Sequence, residues 1–232
     1  MIISIGNLPL KNIKADLFLH PVKYKDSITY EPLAEEAVIA LITKYFTYDK
    51  VDEKIKEYFD EMDDGYLFGE SNFDEFDLEK LKKGEILVGR DVLLHPRVEN
   101  IKKFLYILRD FGGFKIKGIS LPNFFTPSDP VLNEVSETQK SYEYNLDEIS
   151  ELDSFDGSVV YWCEDKLVVE ENEILCSNQF IIANKIKSFE VLVDNEVKKV
   201  KKVENLKGTF GIIYKETNEY PFKRVKIKNK EE

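Results

Sequence analysis

The sequence predicts an α/β fold, a parallel-sheet N-terminal domain followed by a small all-β, barrel-like domain. Three observations carry that expectation. Residues 85–122 read strand, loop, helix, turn, strand; residues 123–154 change composition; and residues 155–232 break into short strands separated by turn residues. In the first stretch, Ile86, Leu87 and Val88 make the short apolar run of a buried parallel strand ending at Gly89. A helix is expected to start near His95-Pro96, because proline suits a first turn. Val98, Ile101, Leu105 and Leu108 recur at helical spacing, and Phe104, Ile107 and Phe111 widen that face. Gly112-Gly113 stops the helix, and Phe114 to Leu121 alternates into a second strand. This βαβ unit makes the first domain, 1–122, Rossmann-like in expectation.

Taken in order, Met1 to Gly6 reads as a strand and ADLFLHP as a second short apolar run, with a polar turn over Asp26 to Tyr30. A helix is expected from Glu31-Pro32 through Phe46, with Glu35 and Glu36 near its positive dipole end. Its apolar side holds Leu33, Val38, Leu41, Ile42 and Tyr45. A second helix over Val51 to Met62 turns Ile55, Tyr58 and Phe59 inward. Asp63-Asp64-Gly65 breaks it, Tyr66 to Asn72 is a connection, and a short helix covers Phe73 to Lys82. Residues 123–154 are rich in Pro, Ser, Asn and acids, as a surface connection between domains is, with Phe124-Phe125 its aromatic pair. Beyond it, GSVVYWC, ILCSNQFIIA, SFEVLVD, EVKKVKKV, GTFGIIY and FKRVKIK read as strands, and Asp194-Asn195 as a hairpin turn. About six strands in so short a span suggest the barrel or sandwich. The lysines of EVKKVKKV suit an edge strand guarded against aggregation, with anion binding as the other use of such a face.

Composition narrows the function classes. Hydrophobic residues make 43% and charged residues 33% of the 232, the balance of an ordered globular chain. No apolar run approaches the ~20 residues of a membrane span, so no direct membrane insertion is expected. The first residues lack the basic stretch of a signal peptide, which makes the cytoplasm the expected location. A net charge of −11 disfavours nucleic acid as a partner. The charge is uneven: Asp49 to Lys82 holds 13 acids and 5 bases, net −8, and Lys185 to Lys230 holds 13 bases and 6 acids, net +7. Such polarity can steer docking, although a solvated acidic helix face explains the first block as simply.

No residue pattern names a reaction. The loop after the first βαβ strand is Gly89-Arg90-Asp91, not GxGxxG, and no GxxxxGK[ST] occurs. Cys163 and Cys176 are too few for an iron–sulfur cluster, and with His20 and His95 their spacing matches no zinc pattern. Reduced structural thiols are the expected state. His20 and His95 both stand in Leu-His-Pro after an apolar run, where a general base could sit at a strand's carboxyl end. Neither has a Ser, Cys or Asp partner at a recognisable spacing, which favours packing roles. Asp63 and Asp64 could form an acid/base dyad or a magnesium site, but fit a solvated helix end better. No catalytic, cofactor-binding or metal-binding residue is therefore assigned.

Several stretches together resemble one family. ADLFLHPVKYKDSITYEPLAEEAVIALI, DDGYLFGESN and ILVGRDVLLHPRVENIKKFLYIL, the last through Gly89, Asp91, His95, Pro96, Arg97, Asn100 and Ile101, come first. FDGSVVYW, SNQFIIANKIK and LKGTFGIIY follow, through Gly157, Gln179, Phe180, Ala183, Lys185, Ile186, Lys187, Leu206, Lys207, Gly208 and Thr209. In order and spacing they resemble the C-terminal part of the large iron–sulfur (G-type) subunit of bacterial respiratory complex I, in its epsilonproteobacterial form. That region is itself a degenerate relative of molybdopterin oxidoreductases. The family's cluster-binding cysteine region has no counterpart here, and PNFFTPSDP stands in place of its TNTLGV-type segment. Neither electron transfer nor a molybdopterin carries over. The resemblance instead implies a non-catalytic accessory subunit beside the large iron–sulfur subunit on the peripheral arm, with flavodoxin or ferredoxin as an electron donor for it to help dock. The alternative, from another class, is a cofactor- or nucleotide-binding protein using the crevice beyond Gly6 and Gly89.

Overall fold

The computed structural model describes residues 1–119, 145–149, 151–152 and 154–230. The first part contains β1 (Ile2–Ile5), β2 (Leu17–Leu19), β3 (Lys23–Tyr24), α1 (Glu35–Thr47), α2 (Glu53–Glu61), α3 (Asp64–Ser71), α4 (Glu75–Leu78), β4 (Glu85–Val88), α5 (Arg90–Leu93), α6 (Val98–Asp110) and β5 (Lys115–Lys117). Four strands form a sheet in the order β2-β1-β4-β5, every pair parallel. β4, α6 and β5 make the βαβ unit, with Ile101, Phe104, Leu105, Ile107 and Leu108 buried, and Gly113 takes the left-handed turn at φ 75°. β5 is shorter than the alternation of Phe114 to Leu121 suggested.

Three helix boundaries differ from expectation, each for a local reason. α1 begins at Glu35 because Leu33 lies at φ 64°, off the helical path, with its N–H donated to the Tyr220 hydroxyl. The helix is buried almost all round, at Ala37 to Thr43, while Tyr45 points to solvent. Tyr66 to Asn72 belongs mostly to α3 rather than to a connection: the Asp63 carboxylate caps the Tyr66 N–H, and Asn72 at φ 50° ends the helix. The short helix expected from Phe73 to Lys82 is only the single turn α4.

The second part contains β6 (Val159–Cys163), β7 (Glu173–Cys176), α7 (Asn178–Ala183), β8 (Glu190–Val193), β9 (Glu196–Lys202), β10 (Leu206–Lys207), β11 (Phe210–Tyr214), β12 (Phe222–Arg224) and β13 (Ile227–Asn229). Seven of these strands form one mixed sheet, β12-β6-β11-β7-β9-β8-β13, in which β6–β11 and β7–β9 are parallel. β12 and β13 lie at opposite edges yet are separated only by Val225-Lys226, a reach of about 10 Å at full extension. The sheet therefore curls into a half-barrel. Asp194 and Asn195, at φ 48° and 76°, make the β8–β9 hairpin turn. Two expectations fail here. Asn178 to Ala183 is a helix capped by the Ser177 hydroxyl, not strand. The lysine-rich β9 lies inside the sheet between β7 and β8, so its lysines guard no edge.

The halves are joined by shared packing. β3 and β10 pair antiparallel, and Leu8 and Val22 from the first part pack in one apolar cluster with Val159, Tyr161, Leu206 and Phe222. Along β6 the side chains alternate: Val159, Tyr161 and Cys163 join this cluster, while Val160 packs with Ile174, Phe180 and Val191. Both faces are buried, which is why VVYWC reads as a continuous apolar run. Most of the 123–154 connection, Phe124-Phe125 included, lies outside the described residues. Leu146, Ile149 and Leu152 pack against the core of the first part.

Candidate functional site: the crevice at the strand ends

In an open parallel sheet the ligand site lies beyond the carboxyl ends of the strands. Here β1 runs into Gly6, β4 into Gly89 and β2 into His20. The loops interlock. The Gly89 N–H donates to the Ile5 carbonyl at 2.7 Å, Asp91 N–H to Gly6 at 3.1 Å, and Gly6 N–H to Leu19 at 3.2 Å. A Cβ on Gly89 would lie 2.1 Å from the Gly6 carbonyl oxygen, so this glycine is required by contact between loops rather than by a phosphate.

The space above is filled by a buried polar layer. Nδ1 of His20 accepts the Val22 N–H at 2.9 Å, which leaves Nε2 protonated and donating to Oδ2 of Asp91 at 2.8 Å. The other carboxylate oxygen, Oδ1, accepts the Tyr161 hydroxyl at 3.0 Å, from β6 in the second part. The His20 ring sits edge-on to Tyr161 at 5.3 Å. His20 and Asp91 have no solvent exposure and Tyr161 almost none. Burial, then the Asp91 charge, hold the Tyr161 hydroxyl well above its ordinary pKa.

A second group stands at the start of α1. The Tyr220 hydroxyl donates to Oε1 of Glu35 at 2.8 Å and accepts the Leu33 N–H at 2.7 Å. Among the described residues, Oε2 of Glu35 and the Tyr30 hydroxyl are both buried without a hydrogen-bond partner, with Nε2 of His95 3.8 Å from that oxygen. Burial pushes the Glu35 carboxyl up to about 8, so it is largely protonated at neutral pH. His95 is fixed like His20: Nδ1 accepts the Arg97 N–H at 3.0 Å, and Nε2 donates to the Leu33 carbonyl at 3.0 Å. Burial lowers its pKa and keeps it neutral. A third group ties the connection down: Arg97 and Asn100 both bond Glu36, and Asn100 also bonds the backbone of Asp147.

This arrangement orients groups without exposing one to a substrate. Both ring nitrogens of each histidine are spent on protein partners, so neither has a lone pair for a substrate proton. His95, moreover, follows α5 rather than a strand, which corrects its expected position. Asp63 and Asp64 form no dyad; Asp63 caps α3 and Asp64 pairs with Lys44 at 2.8 Å. Cys163 and Cys176 are buried free thiols, and burial pushes Cys176 up to about 12. Among the described residues no group of three or more His, Cys, Asp or Glu is placed to hold a metal ion, and no helix is long and apolar enough to cross a membrane. An open cavity of about 490 Å³ adjoins the layer between Lys23, Glu31, Asn72, Asp156 and Thr209.

Sequence reasoning missed the partner of His20. Asp91 lies 71 residues away, at the loop beyond another strand. One signal was present: Glu35 and Glu36 open an otherwise apolar helix, and both are buried. No family model, curated protein or solved structure matches the chain. Fold and site define a class in physical terms, an α/β protein whose strand-end loops pack against its own curled second sheet.

Proposed function

We propose that the chain is a non-catalytic accessory subunit of a respiratory complex I of the NADH-quinone oxidoreductase type, attached to its peripheral arm beside the large iron–sulfur subunit. The observation that carries the non-catalytic half is the filled crevice. Where an α/β domain holds a ligand, this chain packs His20, Asp91 and Tyr161 against one another, without exposed reactive groups. The complex I half rests on the resemblance. Its motif residues Asp91, His95, Arg97 and Asn100 are the ones whose hydrogen bonds fasten α1, the strand-end loops and the connection. That suits a paralogue that kept a scaffold. In this reading the first part is Rossmann-like, the curled sheet corresponds to the family's C-terminal β module, and the chain is cytoplasmic, peripheral to the inner membrane through the complex.

The region from Lys185 to Lys230 is the proposed face for an acidic flavodoxin or ferredoxin, since opposite charge speeds encounter. Affinity for such a carrier should fall as salt rises; an affinity indifferent to salt sinks the docking role. The reading as a whole is tested by tagging the protein at native expression and identifying what co-purifies from detergent-solubilised membranes. Stoichiometric recovery of complex I subunits is expected. Recovery of the chain alone overturns the accessory-subunit reading.

A further inference from the structure

The two charge blocks of this chain each carry an apolar feature. Between α2, α3 and the segment 145–149 lies an open groove of about 700 Å³. Its floor is Tyr58, Met62, Tyr66 and Leu67, its rim includes Glu61, Glu148 and Glu151, and among the described residues no lysine or arginine lines it. At the other block, Phe189 is 90% exposed just before β8, with Ile182 on α7 also largely exposed. The Phe189 carbonyl accepts the Val200 N–H at 2.8 Å, so Phe189 stands opposite Val200 of β9, with Lys185 and Lys187 just before it in the chain. Lys185 and Lys187 form no ion pair among the described residues, while Lys199 lies across from Glu190; among the described residues no ion pair links residues 49–82 to residues 185–230. The two blocks do not neutralise each other within one chain.

We propose that the chain associates with itself head to tail, the basic Phe189 corner of one copy seating in the acidic Tyr58–Tyr66 groove of the next. The groove offers aromatic and aliphatic surface edged by carboxylates; the corner offers an exposed phenylalanine preceded by the unpaired Lys185 and Lys187, in a stretch of net positive charge. Each is the complement of the other in both apolar and charged character. Two different surfaces meet, so the contact is heterologous, and it grows into a ring or an open chain of copies. The corner belongs to the face proposed above for an acidic carrier, so the two occupancies exclude each other. The self-association does not depend on that reading.

Sedimentation of the purified full-length chain over a wide concentration range, at low and high salt, tests this. The expected result is a mass above the monomer at low salt that returns to monomer at high salt. Two surface variants identify the contact. Glu61→Lys with Glu151→Lys reverses the groove, and Lys185→Glu with Lys187→Glu reverses the corner. Each alone should be monomeric, and an equal mixture should associate again, since the intact corner of one variant meets the intact groove of the other and the two reversed faces are once more of opposite charge. A wild-type chain that stays monomeric at low salt overturns the proposal. So does an oligomer that neither variant disturbs, or a mixture that fails to associate.

Discussion

Nε2 of His20 donates to Oδ2 of Asp91 at 2.8 Å, joining the residue just after β2 to α5, the helical turn that follows β4. Tyr161 completes the group from the second part of the chain, on the other oxygen of the same carboxylate. The carboxylate therefore holds together two loops and two sheets. Because no water reaches it, its partners have no substitute if it is removed. Asp91→Ala should cost about 3–5 kcal/mol of unfolding free energy in urea, the range for breaking one member of a buried hydrogen-bonded group. Tyr161→Phe, which leaves only one acceptor short, should cost about 1–2 kcal/mol. An Asp91→Ala loss below that of Tyr161→Phe would show that the layer is hydrated in solution.

Glu35 should give stability an unusual slope with pH. Its folded pKa of about 8 lies above the ordinary value of 4.5, so the folded chain holds this proton more tightly. The stabilisation is complete below about 4.5 and is lost as pH rises through about 8, at up to ~1.4 kcal/mol per pH unit. Tyr30, Tyr220 and Asp91 face the carboxyl, and the His95 ring, with Nε2 3.8 Å from Oε2, is held neutral by burial, so none of them is a cation that rescues the ionised form. His95 works in the opposite sense. Its depressed pKa gives stability above its ordinary value of 6.5 that is lost as pH falls. Comparison with Glu35→Gln isolates the carboxyl: the stability of wild type relative to the variant should fall steadily across that window. A constant difference would mean Glu35 is ionised in the folded state.

The parts legible in the sequence were those set by local periodicity. β4, α6 and β5 follow from an apolar run, a helical repeat and Gly113, and Asp194-Asn195 forms the expected hairpin turn. What escaped was set by distant contacts. α1 begins late because Tyr220, nearly the whole chain away, takes the Leu33 N–H. SNQFIIA, a short apolar run that suits strand or helix alike, became α7 once Ser177 capped it. The place of β9 inside the sheet depends on β7 arriving parallel beside it, which no alternation pattern encodes. The His20–Asp91 pair was invisible for the same reason, since only the register of the parallel sheet brings β2 and β4 to one end.

The cysteines should behave as two separate, unreactive thiols. β6 and β7 are separated in the sheet by β11, two strand spacings or about 10 Å, beyond the ~7 Å limit for a disulfide. Cys163 and Cys176 also pack in different apolar clusters. Burial raises both thiol pKa values, leaving little thiolate near neutral pH. A thiol reagent should label neither in the folded protein and both after denaturation, with or without prior reductant. Rapid labelling of the native chain at either position would contradict the packing of that cluster.

Gly89 and Gly69 make a paired test of why glycine occurs where it does. At Gly89 an added methyl would overlap the Gly6 carbonyl oxygen and the Asn7 side chain, both held by the interlocked loops. Backbone on both sides cannot yield without breaking the Gly89–Ile5 hydrogen bond, so Gly89→Ala should cost about 3 kcal/mol or more, at the upper end for overpacking. Gly69 lies on the exposed side of α3 with nothing within 4 Å of an added Cβ. There alanine only improves helix propensity, and Gly69→Ala should stabilise by about 0.5–1 kcal/mol. Denaturant midpoints of the two variants read the contrast directly. If Gly89→Ala were tolerated like Gly69→Ala, the strand ends would be open enough to admit a ligand, and the crevice would again be a binding site.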